Sequence, residues 1–172
     1  MVNTSVRLYL ARHGETPDNV SHIMQGQTQG MLNSRGREQA MALAERLLGE
    51  GIGAIVASDL RRAVETAEIV AGVLGLTIET TPLLRERDWG GFTGMYIPDL
   101  KDAAWPDDIE TTEEIKRRAG DFLRFVASRY GGTTVLAVGH GIINKAIQSV
   151  YYGKPMSQVA PMANAEFRVL VL

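Results

Sequence analysis

The stretch Val6-Arg7-Leu8-Tyr9-Leu10-Ala11-Arg12-His13-Gly14-Glu15-Thr16 sets the reading of this chain. Six residues of strand-forming, mostly apolar character run directly into Arg-His-Gly. A buried strand ending this way delivers a guanidinium and an imidazole to the rim of a sheet. Gly14 lets the backbone turn sharply there, because it lacks a Cβ. In open α/β folds the carboxyl ends of strands are where ligands sit. The remaining sequence either supplies partners for this pair or leaves it a structural corner.

Outward from that stretch, apolar runs and amphipathic periods alternate. Residues 14–33 carry Pro17, Asn19, Gly26 and Gly30 and read as loop. A helix is predicted from Ser34 to Leu48, with Ala40, Leu43, Ala44 and Leu47 on one face. Ile52 to Ala57 reads as a second buried strand. Ser58 is placed to cap a helix from Asp59 to Leu74, closed by Gly75. Leu76 to Glu79 is a short third strand. Residues 80–109, rich in Gly and Pro, read as loop with at most short helical turns. Thr111 and Glu114 have capping-box spacing for a helix that buries Ile115, Ala119, Phe122, Leu123 and Val126. Thr133 to Val138 is a strand ending in Gly139-His140-Gly141, followed by a helix from Ile142 to Tyr151. Phe167 to Leu172 is a last strand of undetermined direction. Strands alternating with helices predict an α/β fold: a three-layer α/β/α sandwich around a mostly parallel central sheet. One domain over residues 1–172 is expected at this length.

Composition narrows the function classes. A formal charge of −2 argues against a general nucleic-acid or membrane-surface binder. The absence of cysteine excludes disulfides, thiolate metal sites and a thiol nucleophile. No apolar run approaches the ~18 residues of a membrane span, and the first residues do not read as a signal peptide. The expectation is a cytoplasmic protein.

Two predicted strands end alike, in Arg12-His13-Gly14 and Gly139-His140-Gly141. If both are parallel, both imidazoles lie at one end of the sheet. Either histidine alone reads as a buried structural residue; two at matching strand ends point to a shared site. Arg62 is the third part. It falls in the first turn of a helix, where a cation opposes the helix dipole. An anion held between Arg12, Arg62 and backbone amides explains it, since planar guanidiniums suit phosphate oxygens. Glu86, in Leu84-Arg85-Glu86-Arg87-Asp88-Trp89-Gly90-Gly91-Phe92, is the fourth. Alone it reads as a solvated loop carboxylate, but Trp89 and Phe92 can shield a pocket around it, and a shielded carboxyl suits proton donation.

In order along the chain, several stretches resemble the histidine phosphatase superfamily, branch one, the phosphoglycerate mutase-like group. They are Leu10 to Thr16 with Asn19 downstream, Gln25-Gly26, Leu32 to Ala40, Ser58 to Ala67, Leu84-Arg85-Glu86 and Val138 to Gly141. The resemblance implies that His13 is the nucleophile taking a phosphoryl group. It implies that Arg12, Arg62 and His140 form the phosphate pocket, with Asn19 and Gly141 as further contacts. Glu86 would protonate the leaving oxygen. His140 would serve both binding and catalysis. No metal and no cofactor are implied. The expected substrate is a small phosphorylated metabolite, with no nucleic-acid or membrane partner, in a monomer or homodimer.

The departures from that pattern bear on the substrate. Ile23 stands where many relatives carry a basic residue, and the segment 87–110 is short for a mutase lid. Ile109-Glu110-Thr111 replaces a common Gly-Glu-Ser. A phosphomonoesterase is therefore expected ahead of three alternatives: a phosphoglycerate mutase, a phosphoprotein or phosphohistidine phosphatase, and a phospho-ligand-binding module. Lys116-Arg117-Arg118 reads as a solvated helix face, His22 as a surface loop residue, and Met24, Met31 and Met41 as loop or core fillers.

Overall fold

A computed structural model describes residues 4–172. Alternate residues of the first strand, β1 (Arg7–Arg12), point to opposite faces of the sheet and are buried on both. Leu8 and Leu10 pack with Val56, Val135 and Ala137 beneath two helices. Tyr9 and Ala11 pack with Ile55, Ala57, Leu136 and Val138 beneath two others. A strand apolar on both faces demands helices on both sides, and this produces the three layers.

The elements follow as α1 (Pro17–Ser21), α2 (Ser34–Leu47), β2 (Ala54–Ser58), α3 (Arg61–Leu74), β3 (Ile78–Thr81), α4 (Thr112–Arg129), β4 (Thr134–Gly139), α5 (Gly141–Tyr152) and β5 (Phe167–Val171). Short 3₁₀ turns lie at Pro82–Leu84, Gly90–Phe92, Ile97–Leu100 and Met156–Gln158. The five strands run β3-β2-β4-β1-β5, all parallel except β5, which is antiparallel to β1. Helices α2 and α3 cover one face, α4 and α5 the other. A smaller cluster of Phe92, Leu100 and Ile109 lies under the segment 87–110, with Met24 and Trp89 against it. Among the described residues no helix is long and apolar enough to cross a membrane.

Several expected boundaries shift, each for a physical reason. Residues 17–21 form a helix rather than loop. Pro17 sits at its start, where a missing N–H costs nothing, and Thr16 and Asn19 make a reciprocal capping box. Ser58 does not cap α3, which begins at Arg61 rather than Asp59 and has Leu60 at its cap position. The Ser58 hydroxyl is instead taken by His140, at 2.8 Å. Strand β3 starts at Ile78 rather than Leu76, because the Leu76 amide still closes the end of α3 onto Ala71 O. Gly14 is required for space, not for a left-handed turn: it has no positive φ, and a Cβ there would stand 2.4 Å from Gly36 O. The capping box at Thr111 and Glu114 is present as read.

Candidate active site

Register builds the site. In the parallel β1–β4 pair, Arg12 lies opposite Gly139. His13 and His140 therefore leave neighbouring strands at the same level, with ring centroids 5.1 Å apart. The His13 amide donates to Gly139 O at 3.1 Å, and the Gly14 amide to Thr66 Oγ1 at 3.0 Å, which ties the strand end to α3. Both imidazoles are buried.

His13 Nδ1 stands 2.6 Å from Gly14 O. A carbonyl only accepts, so Nδ1 carries the proton of the neutral ring and Nε2 keeps its lone pair. Burial, reinforced by the charges of Arg62 and Arg12, holds the His13 imidazolium well below its ordinary range. His140 is pushed the same way by burial, then by Arg62, His13, Arg12 and Arg118. Both rings are thus neutral at pH 7. His140 Nε2 meets Ser58 Oγ, while its buried Nδ1 has no partner.

Arg62 is almost wholly buried, at 1% exposure. Its guanidinium donates to Thr28 O at 2.6 Å and Gly26 O at 2.7 Å. Burial lowers its pKa to about 10, so it remains a cation. Arg12 donates to Met162 O at 2.8 Å. The Nε atoms of both arginines are buried and unpartnered. Glu86 is seated at the start of α5, where the Ile142 and Ile143 amides reach its carboxylate at 3.0–3.2 Å and the Arg87 amide at 2.8 Å. Free amides of a helix N-terminus are natural partners for a carboxylate.

These groups surround a cavity of about 280 Å³, lined by Arg12, His13, Asn19, Arg62, Glu86 and Gly141 among others. Of the residues singled out in the sequence, His140 alone is withdrawn from this wall: it is fully buried and packs against His13. Asn19 is held by accepting the Thr16 amide and donating to Gln25 Oε1. The expectation of a solvated Lys116-Arg117-Arg118 face fails at Arg118, whose side chain is only 18% exposed and is ion-paired to Glu110. His22 is exposed, in the left-handed position that ends α1. Met31 and Met41 are exposed, and Met24 lines the cavity.

The cavity also has walls that sequence reasoning missed. Ile23, Met24, Ile97, Ile142, Pro161 and Met162 make it largely apolar away from the arginines. Lys145 is a further cation on the wall, one helical turn beyond Gly141, and that spacing could have flagged it. The segment after α5 had no signal. There Asn164 donates to His13 O at 3.1 Å and to Asn19 Oδ1 at 3.2 Å, bracing two cavity residues. Among the described residues no cluster of three or more His, Asp or Glu side chains could hold a metal ion.

Two neutral imidazoles and two guanidiniums with free N–H groups, at the carboxyl edge of a parallel sheet, define an anion-handling site on an α/β sandwich. The chain belongs to the histidine phosphatase superfamily (branch 1), whose model matches residues 8–172. Among curated proteins it is 34% identical to a probable phosphoglycerate mutase GpmB of Enterobacter sp. (strain 638), over 87% of this chain and 76% of that one. Among solved structures it superposes on a mycobacterial glucosyl-3-phosphoglycerate phosphatase with a TM-score of 0.86 and 28% identity, covering 97% of this chain and 90% of that one. A phosphoserine phosphatase of Entamoeba histolytica shares the fold, with a TM-score of 0.86 at 21% identity and coverage of 95% and 89%.

Proposed function

We propose that this chain is a metal-independent phosphatase that hydrolyses a small phosphomonoester through a phosphohistidine on His13. The observation that carries the reading is the neutral, tautomer-fixed His13 beside two guanidiniums with buried, unpartnered Nε atoms. A neutral imidazole is nucleophilic, and fixed cations stabilise charge on the equatorial oxygens as a phosphoryl group moves. Nε2 of His13 bonds to phosphorus while the ester P–O bond breaks toward oxygen. Glu86 gives its proton to that oxygen. Water then attacks phosphorus, Glu86 takes a proton from it, and the N–P electrons return to Nε2. In this reading Ser58 donates to His140 Nε2, so the ring proton sits on the unpartnered, buried Nδ1 of a ring packed against His13. A cavity of about 280 Å³ with apolar walls suits a small organic phosphate better than a folded phosphoprotein.

Hydrolysis of p-nitrophenyl phosphate in EDTA tests this reading. Wild type is expected to turn over and to form an acid-labile phosphoenzyme, and His13→Ala to do neither. Equal slow rates for both overturn it. The phosphatase names among its structural neighbours support hydrolysis. The mutase names among its sequence relatives favour a second reading, as an isomerase of phosphoglycerates. Formation of 2-phosphoglycerate from 3-phosphoglycerate faster than release of inorganic phosphate would select that one. Ile23 and the short segment 87–110 favour hydrolysis, because a mutase must keep water from its intermediate.

A further inference from the structure

The Glu86 carboxylate is held by amides of α5, but the chain that carries it has no regular structure of its own. Residues 85–89 lie between two 3₁₀ turns. Gln27 Nε2 donates to Glu86 O at 3.2 Å, and most of the remaining hold on this backbone comes from a residue that does not line the cavity. Arg118, on α4, donates through Nη1 to Leu83 O at 3.0 Å and Arg85 O at 2.6 Å, and through Nη2 to Glu86 O at 3.4 Å. Its remaining donors go to Glu110: Nε to Oε1 at 2.9 Å and Nη2 to Oε2 at 2.8 Å. All five N–H groups of the guanidinium are thereby used.

Glu110 extends the same clamp. Its amide donates to Asp88 O at 2.9 Å, its carboxylate accepts the Asp88 amide at 3.0 Å, and its carbonyl accepts Arg87 Nε at 2.8 Å. The Arg118 and Glu110 side chains are 18% and 13% exposed. A planar five-donor fork can hold three carbonyls and a carboxylate at once; an ammonium with three donors cannot. On the far side, Arg85 is forked onto Asp59 at 2.6–2.7 Å. The Glu86 peptide is thus clamped from α4 and its neighbour from the loop after β2.

We propose that Arg118, held by Glu110, is a positioning residue for Glu86. It sets where the carboxyl stands relative to the leaving oxygen without touching the substrate. The proposal rests on the phosphatase reading above, with Glu86 as proton donor. It makes a statement that a merely structural role does not. Protonation matters when the leaving group is a strongly basic alkoxide and little when it is p-nitrophenolate. A displaced Glu86 therefore slows alkyl esters selectively, whereas general damage to the pocket slows both ester types alike.

The test compares kcat and KM for p-nitrophenyl phosphate and 2-phenylethyl phosphate in the full chain. Wild type, Glu86→Gln, Arg118→Gln, Arg118→Lys and Glu110→Gln are measured side by side. Glu86→Gln and Arg118→Gln are both expected to lose at least about tenfold more kcat on the alkyl ester than on the aryl ester. Arg118→Lys should fall between wild type and Arg118→Gln. Glu110→Gln leaves the guanidinium in place but loosens it, and should shift the ratio in the same direction by less. If Arg118→Gln does not fold, the ratio in Glu110→Gln decides. Equal losses on both esters, or an alkyl-to-aryl ratio at the wild-type value, overturn the proposal. A wild type that hydrolyses neither ester overturns the phosphatase reading, a Glu86→Gln variant with no leaving-group preference overturns Glu86 as its proton donor, and the proposal falls with either.

Discussion

His13 and His140 enter the fold as neutral rings, and this gives the protein a pH dependence of known sign. In the unfolded chain each binds a proton near pH 6.5. In the folded chain burial and the facing guanidiniums of Arg62 and Arg12 hold both well below that value, with Arg118 adding to the effect at His140. Between the two values the unfolded state binds more protons, so stability falls as pH drops through 6.5. Above 6.5 neither state is protonated at these rings and they contribute no slope. Urea unfolding at pH 7.5 and 5.5 should show a lower midpoint at 5.5. Each histidine contributes up to about 1.4 kcal/mol per pH unit within that window. His140→Gln should reduce the drop by roughly half, and an unchanged drop would sink this account. At this scale the sequence was informative for particular reasons. His13, His140 and Arg62 each sit in a short local pattern, beside glycine or at an element's start, and Glu86 stands shortly before Trp89 and a Gly-Gly pair. Arg118 sits in an ordinary charged helix stretch, and nothing local distinguishes it from the exposed Arg117 beside it. Its burial depends on where residues 83–88 run.

At the scale of elements, the turn after β1 and the start of α2 meet backbone to backbone. A Cβ at Gly36 would stand 2.1 Å from Glu15 O and 2.8 Å from Glu15 N, and one at Gly14 would stand 2.4 Å from Gly36 O. Neither contact involves a flexible side chain that could yield. Gly36→Ala is expected to destabilise the fold by about 1–3 kcal/mol through overpacking. Because Glu15 follows Gly14 directly, the same change should lower kcat on p-nitrophenyl phosphate by displacing His13. A urea midpoint and a rate equal to wild type would refute it. Strands and long helices were legible because their apolar periods are strong and their ends are marked, as at Thr111 and Gly75. Helix α1 was not, since Pro17 reads as a breaker until its position at the first turn is known. The misplacement of Ser58 as a cap has a similar origin. Its competing partner, His140, lies 82 residues away in sequence.

On the whole molecule, the cavity draws on β1, α1, the loop before α2, α3, the segment 87–110, α5 and the link to β5. Its charged floor was readable because those side chains sit at element ends, which an α/β sandwich gathers at one edge. Its apolar walls come from Ile23, Ile97, Pro161 and Met162, in segments without periodicity, so only the folded chain brings them together. This assembly leaves the fold with two guanidiniums that burial disfavours and that Glu86 offsets only in part. Arg62 is withdrawn from water and Arg12 is partly so; both donate to neutral carbonyls and keep Nε atoms without partners. Burial of a cation disfavours the charged form unless an anion offsets it, and the lowered pKa of Arg62, about 10, reflects that. An inorganic oxyanion that binds only the folded state should therefore stabilise the whole chain. At phosphate concentrations a hundredfold above its Kd the gain is about 2.7 kcal/mol, or roughly 5–10 °C in Tm for a chain of this size. Thermal unfolding across a phosphate series, with ionic strength held constant by chloride, measures it. Arg62→Met should bring the phosphate-dependent shift close to zero. A shift that survives in Arg62→Met, or that chloride reproduces, would place the stabilising anion elsewhere on the surface.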